Sequence, residues 1–121
     1  MTTLLPRVRT LIQTAVSDAA SVFHAWPASW TQMPCVAYRE EENRQFRRAD
    51  GAEALCEVIY ALDVWSLSAQ EARDLLDEVD AALCAEGFAR TQTQSLFEEK
   101  TRFYHLCARY RALTDGTNLF Q

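Results

Sequence analysis

The chain has 121 residues, 49% hydrophobic and 24% charged, with a formal net charge of −5. This composition predicts one globular domain over residues 1–121 and excludes wholesale disorder; 3 glycines and 3 prolines also exclude collagen-like and Gly-rich phosphate-loop designs. No apolar run approaches the roughly 18 residues of a membrane span, and the acid excess argues against a dedicated nucleic-acid binder.

The opening MTTLLPRVRTLIQ holds Arg7 and Arg9 inside its apolar stretch and offers no small-residue cleavage site, so no secretory signal is expected. Over residues 3–19, Leu4, Leu5, Val8, Leu11, Ile12, Ala15, Val16 and Ala19 recur at helical spacing and predict an amphipathic helix. Thr2 or Thr3 can cap it, and Pro6 is tolerable because it lies in the first turn. Residues 23–34 hold Pro27, Pro34, Trp26 and Trp30 and read as an ordered loop pinned by aromatics. A strand follows at Cys35–Glu40. Residues 41–52, polar and rich in arginine around Phe46, read as a long loop turning at Asp50-Gly51.

Residues 53–66 give the clearest strand. Cys56, Val58, Tyr60, Leu62 and Val64 share one parity, which is a core face. The period then changes. Ser68-Ala-Gln-Glu71 is a capping box, Leu67 can staple onto Ala72, and Gly87 can supply a left-handed stop for a helix over 68–86. Residues 88–93 and 101–113 read as strands separated by a polar loop at 94–100. Residues 114–121 read as a flexible tail.

The order α-β-β-α-β-β predicts an α+β fold: a mainly antiparallel sheet of about four strands with two helices packed on one face. The expected core is Leu11, Val58, Tyr60, Leu62, Leu75, Leu76, Val79, Leu83, Leu106 and Tyr110. The second face is then uncovered, yet it carries Leu55, Ile59, Trp65 and Phe103. An open, partly apolar face implies a partner, met equally by sandwich-like pairing or by a ring of subunits. Arg44, Phe46, Arg47 and Arg48 join those four as the expected assembly interface, the arginines suited to a neighbour's carboxylates.

Charge is placed unevenly. The helix 68–86 carries Glu71, Asp74, Asp77, Glu78, Asp80 and Glu86 against Arg73, while the rest of the chain balances, eleven acidic against eleven basic residues. Glu71, Asp74, Asp77, Glu78 and Asp80 would form an acidic band in a ring. If that band lined a channel it would repel DNA phosphates.

No chemistry is legible. Cys35, Cys56, Cys84 and Cys107 lie 21, 28 and 23 residues apart with no CxxC or CxxxH pair, so free thiols are expected and a zinc site is not. His24 and His105 fall in different segments, and no GxSxG elbow surrounds any serine. Neither a catalytic constellation nor a cofactor or metal site is expected.

The segments WPASWTQMPCVAYREEENR, ALDVWS, SAQEARDLLDEVDAAL and GFARTQTQSLFEEKTRFYHLCARYRAL come in an order that resembles the tail-completion, or tail-terminator, proteins of long-tailed bacteriophages and prophages. The shared steps are the proline-flanked entry to PCVAYRE, Asp63-Val64-Trp65-Ser66, Gly87-Phe88, Tyr104-His105 and an Arg-Tyr-Arg-like end. The likeness covers about residues 1–113. It implies a structural virion subunit, not an enzyme. Such a subunit forms a ring, usually a homohexamer, that caps the tail tube, ends polymerisation and joins the head connector or stopper protein. It also implies a place at the virion's tail–head joint, assembly in the bacterial host cytoplasm, no membrane, and DNA passage without specific binding. The residues alone leave open a different class, a small cytoplasmic adaptor that dimerises through its sheet face.

Overall fold

A computed structural model describes residues 2–49 and 52–120. The order is α1 (Leu5–Val16), a 3-10 turn (Ser17–Ala19), β1 (Ser21–His24), β2 (Cys35–Ala49), β3 (Ala52–Ser66), α2 (Ala69–Glu86), β4 (Ala89–Glu98), β5 (Phe103–Thr114) and β6 (Leu119–Phe120). The strands make one mixed six-stranded sheet in the order β1-β2-β3-β5-β4, with β6 also on β5. β1 runs parallel to β2 and the other pairs are antiparallel. β3 occupies one side of β5 as far as Thr114, so β6 lies in line with β4 along the other side.

The core forms where one parity of the sheet meets the two helices. Val36, Val58, Tyr60, Leu62, Val64, Ala108 and Tyr110 are buried against Val8, Ile12 and Val16 of α1 and Ala72, Leu75, Leu76, Val79 and Leu83 of α2. Each large aliphatic side chain so buried contributes about 1.5–3 kcal/mol relative to exposure. Leu11 is only partly buried, because α1 aims Val8 and Ile12 inward and leaves Leu11 on the flank. Two buried tyrosines end in hydrogen bonds. Tyr60 accepts from the Leu4 N–H at 2.8 Å and donates to Glu40 at 2.8 Å, and Tyr110 donates to Asp80 at 2.7 Å.

α2 begins and ends where its sequence requires, with two changes at its start. Ser68 Oγ accepts from the Glu71 N–H at 3.2 Å, but the Glu71 carboxylate accepts from Ser66 Oγ at 2.6 Å instead of reaching back to Ser68. Ser66 Oγ in turn takes the Ser68 N–H at 3.0 Å. Leu67 stays exposed and does not staple the turn. At the other end Gly87 adopts φ 117°, and a Cβ there would meet Leu119 Cβ at 3.2 Å.

Four expectations need correction. The sheet has six strands, mixed, because the four-residue β1 is too short for a periodicity and pairs in parallel. Residues 41–49 and 52 are strand, not loop: β2 and β3 pair out to Ala49↔Ala52. The Asp50-Gly51 turn lies outside the described residues. β4 continues to Glu98, through most of the expected loop at 94–100, as an exposed edge with no apolar alternation to announce it. The segment 114–121 contains β6, anchored where Thr114 Oγ1 donates to the Asn118 carbonyl at 2.7 Å.

Candidate assembly surfaces

The sheet face opposite the helices is an ionic lattice, not an apolar plain. Its register places Ala37 beside Asp63, Asp63 beside Cys107, and Trp65 between Cys35 and His105. Asp63 is only 4% exposed and receives two partners, the Arg39 guanidinium and His105 Nε2, the latter at 2.7 Å. Burial alone would raise its pKa, but the hydrogen bonds from His105 and Arg39 outweigh it and hold the carboxyl below its ordinary range. Arg39 also reaches Glu41 at 3.2 Å, and Glu41 takes the Arg109 Nε at 2.7 Å. A second chain runs Arg44–Glu57–Arg111, with Arg44 at 2.6 Å from Glu57. Arg109 and Arg111 hold Glu41 and Glu57 below the usual carboxylate range.

One end of this face is covered by the chain itself. Trp65 is fully buried and Phe103 is 8% exposed, because the loop between β1 and β2 folds Trp26 and Trp30 over them. Trp26 and Trp30 meet Trp65 edge-on at 5.5 and 5.2 Å, Trp30 stacks on Phe103 at 5.8 Å, and His105 stacks on Trp65 at 4.5 Å. The expectation that Trp65 and Phe103 lie on an uncovered face is therefore corrected. The covering rings are themselves exposed, Trp26 at 60%.

Apolar exposure is concentrated. Among the described residues, Trp26, Trp30, Leu67, Leu96, Phe97 and Tyr104 are exposed at that same end of the sheet, and Phe120 is the one large apolar side chain exposed elsewhere. Phe97 and Tyr104 pack together at 4.9 Å, with the Arg102 guanidinium 5.5 Å from the Phe97 centroid.

The opposite end is the β2–β3 hairpin. β3 pairs with β5 only from Cys56 onward, so residues 46–49 and 52–55 form a two-stranded extension beyond the rest of the sheet. Arg47 and Arg48 lie on it, opposite Leu55 and Glu53 in register, with Phe46 at a register shift. Arg44 is at its root, paired to Glu57. Leu55 and Ile59 are half-buried. Six residues of strand, about 20 Å, separate Ile59 from Trp65. The eight expected interface residues thus fall into two groups: Arg44, Phe46, Arg47 and Arg48 with Leu55 and Ile59, and Trp65 with Phe103.

The acidic residues of α2 are arranged around its outer surface. Glu71, Asp74, Asp77 and Glu78 are exposed; Asp80 is half-buried between Tyr110 and Arg90, at 3.5 Å from the latter. Sequence reading missed Arg39, Glu41, Glu57, Arg109 and Arg111 as one lattice. Their same-parity spacing on β2, β3 and β5 was the available signal, but the strand register that joins them was not. None of the four cysteines is joined in a disulfide, and burial pushes the Cys35 thiol up to about 11. Among the described residues no group of three or more His, Cys, Asp or Glu is placed to hold a metal.

The family model for "Tail completion protein gp17" matches residues 4–115. The chain belongs to that family. Membership favours a structural tail protein over the adaptor alternative. No curated protein matches the sequence. Among solved structures the fold is similar to a chain of the "Virion of native gene transfer agent (GTA) particle", with a TM-score of 0.65 at 16% identity. That alignment covers 91% of this chain and 88% of the other.

Proposed function

We propose that this tail-completion protein works as a ring, a homohexamer, that caps the tail tube, stops its polymerisation and gives the head connector its joint. It acts by binding and performs no chemistry. The family match over residues 4–115 carries the reading. The likeness to a chain of a gene transfer agent virion is consistent with a place in a phage-like particle.

A cap must be two-faced: one surface accepts the last tube subunit, and the other offers no copy of that contact. The subunit is polarised in the same sense. One end of its sheet exposes Trp26, Trp30, Leu67, Leu96, Phe97 and Tyr104; the other carries the hairpin with Arg44, Phe46, Arg47 and Arg48. An apolar rim suits a permanent joint within the tail, since burying such side chains is favourable without charge pairing. An arginine-bearing hairpin suits a later partner, because bidentate arginine contacts are specific and geometrically fixed. Leu55 and Ile59 support that second surface at the hairpin's root. Glu71, Asp74, Asp77, Glu78 and Asp80 supply the ring's acidic band, and DNA traverses the ring without specific contacts.

The site of action is testable on assembled tails. A peptide tag after residue 121, detected by gold-labelled antibody in electron micrographs, is expected at one end of the tail only, the end that meets the head. Label along the tube, or at the distal tip, would remove this assignment.

A further inference from the structure

We infer that neighbouring subunits join head to tail through opposite sheet edges, the α1/β1 edge of one copy receiving the α2/β4 edge of a second copy. This rests on the ring reading above and names the surfaces that close it. The sheet is open, and β4 is its long free edge: ten residues, nine of them exposed. From Thr91 to Phe97 it carries no charge and no proline. Edges of monomeric proteins are normally guarded by charge or proline, whereas this one is guarded by one bulge near Arg90. β1, at the other edge, is four residues long and bordered by a groove of ≈ 420 Å³ lined by Leu5, Pro6, Arg9, Gln13, His24 and Tyr38, among others.

Charge says which copy fills that groove. α1 holds Arg7 and Arg9 and no acidic residue over Leu5–Val16, whereas α2 holds six acidic residues and one arginine. The flanks of α1 differ in their partners. Arg7 faces the chain's own α2 and lies 3.8 Å from Glu86. Arg9 faces the groove and has no ion-pair partner among the described residues. On α2, Asp80 marks the β4 flank through Arg90, and Asp77, three residues earlier, lies on that flank, exposed and unpaired among the described residues. Adding a second copy's β4 beside β1 extends the sheet and sets its α2 alongside α1. The basic helix then has an acidic helix on each flank, its own through Arg7 and the neighbour's through Arg9 and Asp77. Such a contact is heterologous, so repetition does not stop at a dimer, and it closes a ring when the rotation per joint divides a full turn.

Charge reversal tests the joint, with mass read by light scattering and fold by circular dichroism. Wild-type protein is expected to assemble beyond a dimer. Arg9→Glu and Asp77→Arg are each expected to weaken every joint roughly fivefold, and the double variant to return to near wild-type assembly. Both side chains are exposed, so the fold persists. A Gln13→Cys/Asp77→Cys pair in a Cys84→Ser background is expected to give a ladder of oxidised oligomers. Assembly that ignores both single reversals, loss that the double does not rescue, or assembled protein without the ladder overturns the joint and leaves the ring standing. A wild type that stays monomeric at every concentration removes both.

Discussion

Asp63→Asn is the most informative single change in the ionic face. The carboxylate is 4% exposed and accepts from both the Arg39 guanidinium and His105 Nε2. The amide keeps the shape but offers one acceptor oxygen, so one of the two donors faces an NH₂ group. Losing a charge-assisted hydrogen bond and leaving a donor opposed inside the sheet costs about 2–4 kcal/mol, toward the lower end because Arg39 is partly solvated and can turn outward. The difference should depend on pH with a definite sign. Asp63 is depressed in the folded state below its value of 3.8 in the unfolded chain. Its contribution is therefore fully present above that value and is lost as pH falls through the lower folded-state value. Urea unfolding followed by tryptophan fluorescence reports it, since Trp65 stacks on His105. A cost under about 0.5 kcal/mol at pH 7, or a difference that persists unchanged at the acid end, would refute the reasoning.

Leu76→Ala removes a buried side chain between α2 and the sheet and should cost about 2–5 kcal/mol by urea denaturation. Gly87→Ala forces a Cβ into φ 117° and toward Leu119, and should cost about 1–2 kcal/mol by the same measurement. Replacing Arg44, Arg47 and Arg48 together by alanine should leave circular dichroism unchanged and weaken ring formation or docking of heads to tails in an in vitro joining assay.

The parts of the fold legible in the sequence are those where burial writes a period. Cys56 to Val64 alternate because one face of β3 meets the helices, and Ala72 to Leu83 repeat at three and four because α2 lies on that face. Ser68 and Gly87 mark the helix ends because the backbone there needs a side-chain acceptor and a positive φ. The distal halves of β4 and β2 were illegible for the converse reason. The side chains of Glu41–Gln45 and Gln94–Glu98 are solvated, hydrogen-bonded or ion-paired, so 41–52 and 94–100 read as loop. The same blindness made the second sheet face look open: nothing in the order of residues says that Trp26 and Trp30 fold back over Trp65 and Phe103. Arg39, Glu41, Glu57, Arg109 and Arg111 were visible as charges but not as a lattice, which exists only once the strands are in register.

The central claim is that this protein ends the tail tube. Electron microscopy of particles assembled without it, alongside particles complemented by the wild-type chain, tests that directly. Tails of irregular or excessive length beside unattached filled heads are the predicted result. Tails of normal length joined to filled heads in its absence would contradict the claim.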